Sequence, residues 1–459
     1  MADTENLSLQ NLLALIARRS ARDLWIDDSG SRLWLDLGAE IRSARAACTS
    51  AGVMPGDIVV TPGEGTLAAL GWLFGAALAG ATVAPLRASR EPELESWKRH
   101  AAPRWRVAEG ALVDLGRCAP STEAAALLDP LRAAGRPGLI LATGGTTGEP
   151  KLVLHDLDAL LGTVPIKQHA ARRIMPLMRC DHIGGLDMAW RALGSGHVLV
   201  APPEDRTPDA VAAIVMKHGV EVLPATPSFL NLLLVAEVHR RYAMSTLRIV
   251  PYGAEPMPVG LLARLNRAFP KVEFVQRFGT SETGALPVTE CGAGLQLGDD
   301  AAGFQWKIVD GELWVRSPAR ALGYLTGHAG GLGADGWFHT GDLAERLPDG
   351  SVRVLGRRED LINVGGEKLL PAEVEGVLQE HPQVADCRVY AERSPLLGQV
   401  VAVEVVWRGE EREVPAVKRA LHTFAAPRLP RHMLPVVVRL VEAIAATRNL
   451  KKSRVLPGT

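Results

Sequence analysis

An apolar run that leads straight into a loop rich in Gly, Thr and Lys constrains this chain more than any other feature. Residues Leu139–Ala142 are typical of a buried strand, and the loop Thr143–Lys151 follows at once. Glycines let backbone N–H groups turn toward one point, while threonine hydroxyls and a lysine add donors and positive charge. Because no Gly-Lys-Ser/Thr closes the loop, it differs from the Walker A pattern. The sequence therefore predicts a phosphate-binding loop of another kind, at the end of a strand.

The composition bounds the class of protein. With 459 residues, 47% of them apolar, the chain is long enough for sizeable cores, and its length predicts roughly two to four domains. Its 51 basic and 51 acidic residues cancel, which favours neither nucleic acid nor a membrane as a partner. Five scattered cysteines without a CxxC pair, and an N-terminus unlike a signal peptide, indicate a reduced, cytoplasmic location.

Short β-rich runs, such as Val220–Leu223, alternate with helix-like stretches up to about residue 310. This alternation predicts an α/β fold with mainly parallel sheets. Within it, the uncharged segment Gly65–Leu86 is long enough to cross a bilayer. Its glycines and its final Thr-Val-Ala-Pro-Leu favour a buried helix followed by a buried strand instead.

The pattern changes in the last third of the chain. Gly311–Arg316 and Ser351–Leu355 alternate polar and apolar residues, which predicts antiparallel strands. Beyond Gly356 the sequence becomes charged and compact. We therefore place a boundary near Glu359, with one domain over residues 1–358 and a second over residues 359–459.

Four further motifs carry candidate chemistry. Gln276–Glu282 combines a glycine for close approach, hydroxyls for phosphate and a carboxylate for magnesium. Asp335–Asp342 ends in a carboxylate that can accept two ribose hydroxyls. Gly356–Lys368 contains a pair of glycines, and Thr447–Arg454 is a basic tail.

Taken in order, the five motifs resemble those of the adenylate-forming superfamily, which includes acyl- and aryl-CoA synthetases, peptide-synthetase adenylation domains and luciferases. The resemblance covers the chain from about Leu33 to Arg454. It implies that a carboxylate attacks the α-phosphate of ATP to give an acyl-adenylate, and that a thiol then displaces AMP. ATP, Mg²⁺ and coenzyme A are the implied cofactors.

The same resemblance implies an architecture. The large N-terminal α/β domain would consist of mainly parallel sheets flanked by helices, with a β-barrel-like subdomain. The small α+β C-terminal domain would be mobile, and would rotate between the two half-reactions. A lysine on a mobile tail can then supply charge in one step and withdraw in the next.

Residue by residue, the resemblance implies a nucleotide site made of the phosphate loop, a turn beside adenine, the motif after it and two ribose contacts. These residues are Thr143, Gly145, Thr146, Thr147, Gly148, Lys151, Gly253, Ala254, Glu255, Arg277, Phe278, Gly279, Thr280, Ser281, Asp342 and Arg357. Thr147 and Glu282 match magnesium ligands. Phe278 and Ser281 stand where tyrosine and threonine are usual.

The remaining roles concern catalysis, the hinge, the acceptor and the acid. Lys451, Glu282 and His182 match catalytic residues, although His182 and the basic tail each also have an ordinary structural interpretation. Glu359 falls at the hinge. The implied tunnel for the pantetheine arm of coenzyme A comprises Gly365 and Gly366. The implied acyl pocket comprises His182, Gly185, Tyr252 and Gly253.

Besides Phe278 and Ser281, four residues depart from the family pattern, and one of them is Asn363, which replaces a common lysine. Gly144 replaces a serine, and Leu152 and Leu450 replace glycines that precede or follow a key lysine. The loss of one hydroxyl donor costs about 1 kcal/mol. These changes leave open an enzyme that performs mainly the thiol-transfer step on a supplied adenylate.

The favoured interpretation is an acyl-CoA ligase acting on a small carboxylic acid. The segments expected to form the acyl pocket contain mostly apolar and small residues, and no arginine or lysine that would bind a second carboxylate. These segments are about Asp181–Gly185, Pro224–Phe229, Tyr252–Ala254 and Thr280–Leu286. Their composition favours an aryl or cyclic hydrophobic acid. Still open are a carrier protein acting in trans, an amine acceptor, a homodimer, and a non-catalytic nucleotide or acyl-adenylate sensor.

Overall fold

The computed structural model describes residues 5–143, 150–291, 294–297, 303–327, 330–333 and 335–444. Its helices are α1 (Leu9–Arg18), α2 (Trp34–Ala51), α3 (Leu67–Leu78), α4 (Leu94–His100), α5 (Thr122–Ala133), α6 (Leu157–Leu161), α7 (Ile183–Ser195), α8 (Pro208–His218), α9 (Pro227–Val235), α10 (Val238–Arg241), α11 (Val259–Ala268), α12 (Pro371–Leu378) and α13 (Val414–Ala425).

The strands follow in chain order. The first half contains β1 (Asp23–Asp27), β2 (Gly30–Leu33), β3 (Ile58–Pro62), β4 (Thr82–Leu86), β5 (Trp105–Ala108), β6 (Ala111–Asp114), β7 (Gly138–Thr143), β8 (Lys151–Asp156), β9 (Arg173–Ile174), β10 (Val198–Val200), β11 (Ile249–Tyr252), β12 (Glu273–Gln276) and β13 (Gly279–Thr280). The second half contains β14 (Gly284–Ala285), β15 (Val288–Cys291), β16 (Leu295–Leu297), β17 (Gln305–Val309), β18 (Glu312–Arg316), β19 (Gly323–Tyr324), β20 (Phe338–Arg346), β21 (Val352–Arg357), β22 (Ile362–Val364), β23 (Glu367–Leu369), β24 (Val384–Ser394), β25 (Gly398–Trp407) and β26 (Val437–Leu440).

A seven-stranded sheet in the order β19-β8-β7-β4-β3-β5-β6 carries the predicted phosphate loop. Its central strands β7, β4, β3 and β5 are parallel, and antiparallel strands close both edges. All five residues of β4 are buried, as expected for a parallel sheet covered on both faces. The chain leaves β7 at Thr143 and re-enters the sheet on β8 at Lys151, which pairs with Thr143. The loop therefore begins and ends at the carboxyl end of β7.

The segment Gly65–Leu86 forms the buried helix α3 and the strand β4, as predicted. The Thr66 hydroxyl caps α3 by accepting a hydrogen bond from the Ala69 backbone. Within the described ranges, we find no helix that combines the length and the apolarity needed to cross a membrane.

A second sheet lies alongside the first, with strands β2-β1-β10-β9 and the parallel pair β11-β12. The predicted strand Val220–Leu223 is reduced to bridges from Val222 to Ile174 and Ile249, which join β9 to β11. Beyond it, β15-β16-β21-β20-β18-β17 form an antiparallel sheet. This sheet contains the two strands predicted from Gly311–Arg316 and Ser351–Leu355, and it occupies the place of the β-barrel-like subdomain.

The C-terminal part has a sheet and a core of its own. Strands β23-β22-β25-β24, with β26 on β25, pack with α12 and α13 around a core whose members all lie between Ile362 and Val438. This is an α+β arrangement. Helix α12 lies against α11, where Gly376 approaches Pro258. The boundary near Glu359 stays a prediction.

Close contact between α2 and α3 generates a test of the packing. A Cβ added at Gly75 would lie 2.6 Å from the Ala44 Cβ and 2.8 Å from the Ile41 carbonyl oxygen. Alanine favours a helix over glycine by about 1 kcal/mol, but overpacking costs about 1–3 kcal/mol. We expect Gly75→Ala to lower the midpoint of thermal unfolding, measured by calorimetry.

The matched control is Gly65→Ala, because a Cβ at Gly65 meets no atom within 4 Å. That variant should unfold at the wild-type temperature or slightly above it. Equal midpoints for the two variants would contradict the close approach of α2 and α3.

Candidate active site

One cleft of about 1160 Å³ gathers most of the residues singled out in the sequence. It opens at the carboxyl ends of β4 and β7 and extends to the antiparallel sheet and α12. The predicted residues that line it are Thr143, Lys151, His182, Ala254, Glu255, Arg277, Phe278, Gly279, Thr280, Ser281, Glu282, Asp342, Arg357 and Glu359.

The other predicted residues fall into three groups. Gly145, Thr146, Thr147, Gly148 and Lys451 lie outside the described residues. Gly185, Tyr252 and Gly253 are not among the residues that line the cleft. Neither are Gly365 and Gly366, which form the turn between β22 and β23.

The segment after β12 is held in a tight turn by its own hydroxyls. The Thr280 hydroxyl accepts hydrogen bonds from the backbone N–H groups of Glu282 and Thr283, both at 3.2 Å. A Cβ at Gly279 would lie 2.6 Å from the Gly284 carbonyl oxygen, so this close approach requires glycine. The turn fixes the direction in which Glu282 leaves the backbone.

Glu282 is oriented by a tyrosine that the sequence analysis missed. The Tyr324 hydroxyl on β19 donates a 2.8 Å hydrogen bond to Glu282 Oε1. Burial, and then the adjacent carboxylate of Glu282, raise the pKa of Tyr324, so the phenol stays a donor. Within the described residues, the second carboxylate oxygen of Glu282 makes no hydrogen bond, which leaves it available in the cleft.

The geometry at Glu282 fits a magnesium ion that arrives with phosphates. Mg²⁺ is usually bound through one or two carboxylates together with waters and substrate phosphates. In the described part of the chain, no three His, Cys, Asp or Glu side chains group closely enough to hold a metal on their own. Among the described residues, Glu282 would therefore be the protein ligand, and the other predicted ligand, Thr147, lies outside the described residues.

His155 fastens the Ser281–Glu282 backbone to the seven-stranded sheet. This residue of β8 is fully buried, and its Nε2 lies 2.7 Å from the Ser281 carbonyl oxygen. Its Nδ1 lies 3.2 Å from the Ala319 carbonyl oxygen. Burial holds the pKa of His155 below its usual value, which favours a neutral ring. We assign the proton to Nε2 because that contact is the shorter of the two.

Asp342 and Arg357 form an ion pair across two neighbouring strands. They are directly opposite in the β20–β21 ladder, and Arg357 Nε lies 2.9 Å from Asp342 Oδ1. The Arg357 guanidinium also donates to the Thr340 carbonyl oxygen at 2.9 Å. Asp342 is 7% exposed, so its carboxylate is preorganised at the wall of the cleft.

The predicted adenine turn lies between the ends of β11 and β12. A Cβ at Gly253 would lie 2.5 Å from the Arg277 carbonyl oxygen, so the two loops touch through a glycine. Ala254 has a positive φ of 69°, a strained conformation for a residue other than glycine. The Glu255 carboxylate accepts hydrogen bonds from the Ser228 backbone N–H at 3.1 Å and its hydroxyl at 2.9 Å. Glu255 therefore also stabilises the start of α9.

His182 caps helix α7 and lines the cleft. Its Nδ1 accepts a hydrogen bond from the Gly184 backbone N–H at the start of α7. A Cβ at Gly185 would lie 2.1 Å from the Arg179 carbonyl oxygen, so Gly185 serves close packing. The histidine thus has a structural role and also faces the cleft.

Three residues around the cleft were missed, and each had a signal in the sequence. His155 is a titratable residue in the otherwise apolar run Leu152–His155. Tyr324 stands between glycine and leucine in a short β-like run. Arg87 directly follows the apolar strand β4, at the edge where sites in parallel sheets occur.

Two family models match the chain. The model described as AMP-binding enzyme matches residues 17–325, which is more than half of the chain. The model described as AMP-binding enzyme C-terminal domain matches residues 373–451.

Two curated relatives illustrate the sequence similarity. A fatty acid–[acyl-carrier-protein] ligase from Streptomyces coeruleorubidus is 28% identical over 448 residues, 87% of this chain and 85% of that protein. A 2-succinylbenzoate–CoA ligase from Bacillus cytotoxicus is 29% identical over 339 residues, 69% of this chain and 68% of that protein.

A solved structure supports the same fold at lower identity. An anthranilate CoA ligase in complex with anthranoyl-AMP superposes with a TM-score of 0.80. The match covers 98% of this chain and 96% of that one, at 18% identity.

The contact between the loop after β11 and the loop after β12 generates a prediction. Gly253→Ala places a methyl group against the Arg277 carbonyl oxygen, at a strain of about 1–3 kcal/mol. We expect the loops to part and AMP to bind at least about fivefold more weakly, as measured by titration calorimetry.

The control is Gly65→Ala, which also adds one Cβ but meets no atom within 4 Å and is not among the residues that line the cleft. AMP affinity should be retained. If Gly253→Ala also binds AMP as the wild type does, the turn does not flank the nucleotide.

Proposed function

We propose that this protein, which belongs to the AMP-binding enzyme family within the adenylate-forming superfamily, joins a small carboxylic acid to the thiol of coenzyme A through an acyl-adenylate. One observation carries the proposal. The ends of the phosphate-loop strands, the carboxylate of Glu282 and the Asp342–Arg357 pair all line a single cleft.

The proposed roles combine the places of the lining residues with the resemblance to the family. Thr143 and Lys151 line the cleft and would hold the triphosphate. The loop residues Gly145, Thr146, Thr147 and Gly148, which lie outside the described residues, would hold it with them. Asp342 accepts the ribose hydroxyls, and Arg357 holds Asp342 in place. Ala254 and Phe278 flank adenine. The acid enters at the end of the cleft bounded by His182.

The chemistry divides into two steps. An oxygen of the acid attacks the α-phosphorus of ATP, the bond to the β-phosphate breaks, and pyrophosphate leaves. The thiol sulfur then attacks the acyl carbon, the bond to AMP breaks, and the thiol proton is released. In such steps the protein contributes positioning and positive charge rather than a strong base. Bound Mg²⁺ would neutralise charge on the phosphate oxygens.

The acceptor and the acid are the finer parts of the proposal. The small and apolar residues of the segments expected to form the acyl pocket favour an aryl or cyclic hydrophobic acid. The similarity to the Streptomyces fatty acid–[acyl-carrier-protein] ligase supports a carrier protein acting in trans as the second candidate acceptor. The scattered cysteines favour a cytoplasmic location.

A panel of carboxylic acids tests the proposed function. The protein is mixed with ATP, Mg²⁺, coenzyme A and each acid, and pyrophosphate and thioester are measured. We expect both products with at least one aryl or cyclic acid. Thioester from a supplied adenylate without pyrophosphate release would indicate the thiol-transfer variant. Neither product with any acid or acceptor would favour a sensor.

Lys451 should divide the two steps. If its ammonium group acts only during adenylation, Lys451→Ala should greatly reduce pyrophosphate release and spare thioester formation from a supplied acyl-adenylate. Stopped-flow or quenched assays of each half-reaction measure this. The neighbouring change Lys452→Ala is the control and should leave both rates intact. Equal loss of both steps in Lys451→Ala would contradict the division.

Tyr324 should set the magnesium requirement. Tyr324→Phe removes the hydrogen bond that orients Glu282. A hydrogen bond to a charged group is worth about 1.5–3 kcal/mol, so we expect about tenfold more Mg²⁺ for half-maximal ATP binding. Calorimetric titration of ATP at several Mg²⁺ concentrations measures the shift.

Tyr242→Phe is the matched control, because the Tyr242 hydroxyl donates to the Asp209 carboxylate at 2.9 Å and Tyr242 is not among the residues lining the cleft. Its magnesium requirement should equal that of the wild type. The same shift in both variants would mean that Tyr324 acts on stability alone.

A further inference from the structure

Arg87 stands at the edge of the sheet from which the predicted phosphate loop departs. Strand β4 pairs in parallel with β7, with Val83 opposite Leu139. Arg87 directly follows β4, Thr143 is the last residue of β7, and both line the cleft. Thr143 pairs with Lys151 on β8. Because neighbouring strands lie about 4.8 Å apart, the register predicts that these three residues lie in a row across the ends of the strands.

A buried carboxylate holds the Arg87 side chain in place. Arg87 Nε lies 2.7 Å from Asp181 Oδ2, and the two side chains are 9% and 2% exposed. A Cβ at Gly63 would lie 2.8 Å from the Asp181 Cβ and 2.9 Å from the Arg87 backbone nitrogen. The ion pair is therefore packed tightly against the end of β3, and Arg87 has little freedom to turn away from the cleft.

Among the described residues, no hydrogen-bond acceptor of the protein binds the terminal nitrogens of Arg87. Its contact with Asp181 uses Nε. Arg87 nevertheless lines the cleft. A guanidinium with both terminal N–H groups available matches a phosphate or carboxylate in a two-point fashion.

The neighbouring charges leave this edge positive. Arg90 is balanced by Glu93, which accepts from its Nε at 2.8 Å and its Nη2 at 2.6 Å. Asp181 is shared, because Arg90 Nη1 also approaches it at 3.2 Å. Burial, and then the nearby Arg179 and Arg87, lower the pKa of Arg206 to about 9.

Lys151 adds a second cation to the row. In the described part of the chain, no carboxylate lies within salt-bridge distance of its ammonium group. An anion bound here meets Arg87 and Lys151 on either side of the Thr143 position. A polyphosphate carries more charge and more oxygens than a single carboxylate, so it matches two neighbouring cations better.

We propose that Arg87 is a further ligand of the β- and γ-phosphates of ATP, and of the pyrophosphate that leaves. This inference rests on the proposed function, in which ATP enters the cleft. It also accounts for a departure in the sequence, since Gly144 stands where a serine hydroxyl is usual. The guanidinium of Arg87 supplies donors to the same end of the nucleotide. Asp181 acts on the nucleotide only through Arg87, as a positioning residue.

Direct binding measurements test the assignment without any acid or thiol. ATP, pyrophosphate and AMP are titrated into the wild type and Arg87→Gln in the presence of Mg²⁺. Loss of a charge-assisted contact should weaken ATP and pyrophosphate binding about 10- to 100-fold. AMP has no β- or γ-phosphate, so its affinity should not change. Arg87→Lys keeps the positive charge but loses the two parallel N–H donors of the guanidinium. Its affinity for ATP should lie between those of the wild type and Arg87→Gln.

Two further variants separate binding from folding. Arg90→Gln removes the neighbouring guanidinium that Glu93 already balances, so the ratio of ATP to AMP affinity should match the wild type. Arg87→Gln combined with Asp181→Asn removes both buried charges and avoids leaving the carboxylate without its nearest partner. The double variant should lose ATP affinity relative to AMP as Arg87→Gln does.

Other outcomes would overturn the assignment. If Arg87→Gln binds ATP and pyrophosphate normally but weakens coenzyme A more than dephospho-coenzyme A, Arg87 serves the acceptor. If it raises KM only for dicarboxylic acids, Arg87 serves the acid. Absence of ATP binding in the wild type would overturn this inference and the proposed function together. Normal, Arg87-dependent ATP binding without activation of any acid would overturn the proposed function alone.

Discussion

The hydrogen bond from His155 to the Ser281 carbonyl oxygen, at 2.7 Å, is the contact on which the cleft depends. It ties the turn after β12, which belongs to one sheet, to β8, which belongs to another. The Ala321 backbone N–H adds a second tie by donating to the Glu282 carbonyl oxygen at 2.6 Å. Because the imidazole is fully buried, removing its partner would leave a polar group without solvent, which makes the junction costly to break.

The charged residues that line the cleft lie at distinct places along it. Lys151 and Arg87 place positive charge at the end of the seven-stranded sheet, where β4, β7 and β8 meet the cleft. Two carboxylates also line the cleft: Glu282, held by the Tyr324 hydroxyl of β19 in the same sheet, and Asp342, held by the Arg357 guanidinium in the antiparallel sheet. A nucleotide lying along the cleft would thus meet cations at its phosphate end and a carboxylate at its ribose end.

Much of this arrangement was predictable from the sequence, for physical reasons. Apolar runs that end in glycine and hydroxyl residues predict the strand β7, its loop and the turn at Gln276–Glu282. The residues that contact those motifs could not be predicted in this way, because only tertiary pairing brings them together. His155 and Tyr324 act through strands β8 and β19, and Arg87 acts through the register of β4 on β7. The strand expected at Val220–Leu223 is present only as the isolated β-bridges of Val222. Apolar character alone does not decide whether a segment pairs as a full strand.

The fate of the oxygens of the acid tests the central claim of an acyl-adenylate most directly. An acid that is a substrate, labelled with ¹⁸O in its carboxylate, is converted in the presence of ATP and the thiol, and the AMP is analysed by mass spectrometry. Attack by the acid on the α-phosphorus predicts one ¹⁸O atom in each AMP and none in pyrophosphate. Unlabelled AMP, or release of ADP and labelled inorganic phosphate, would contradict the account.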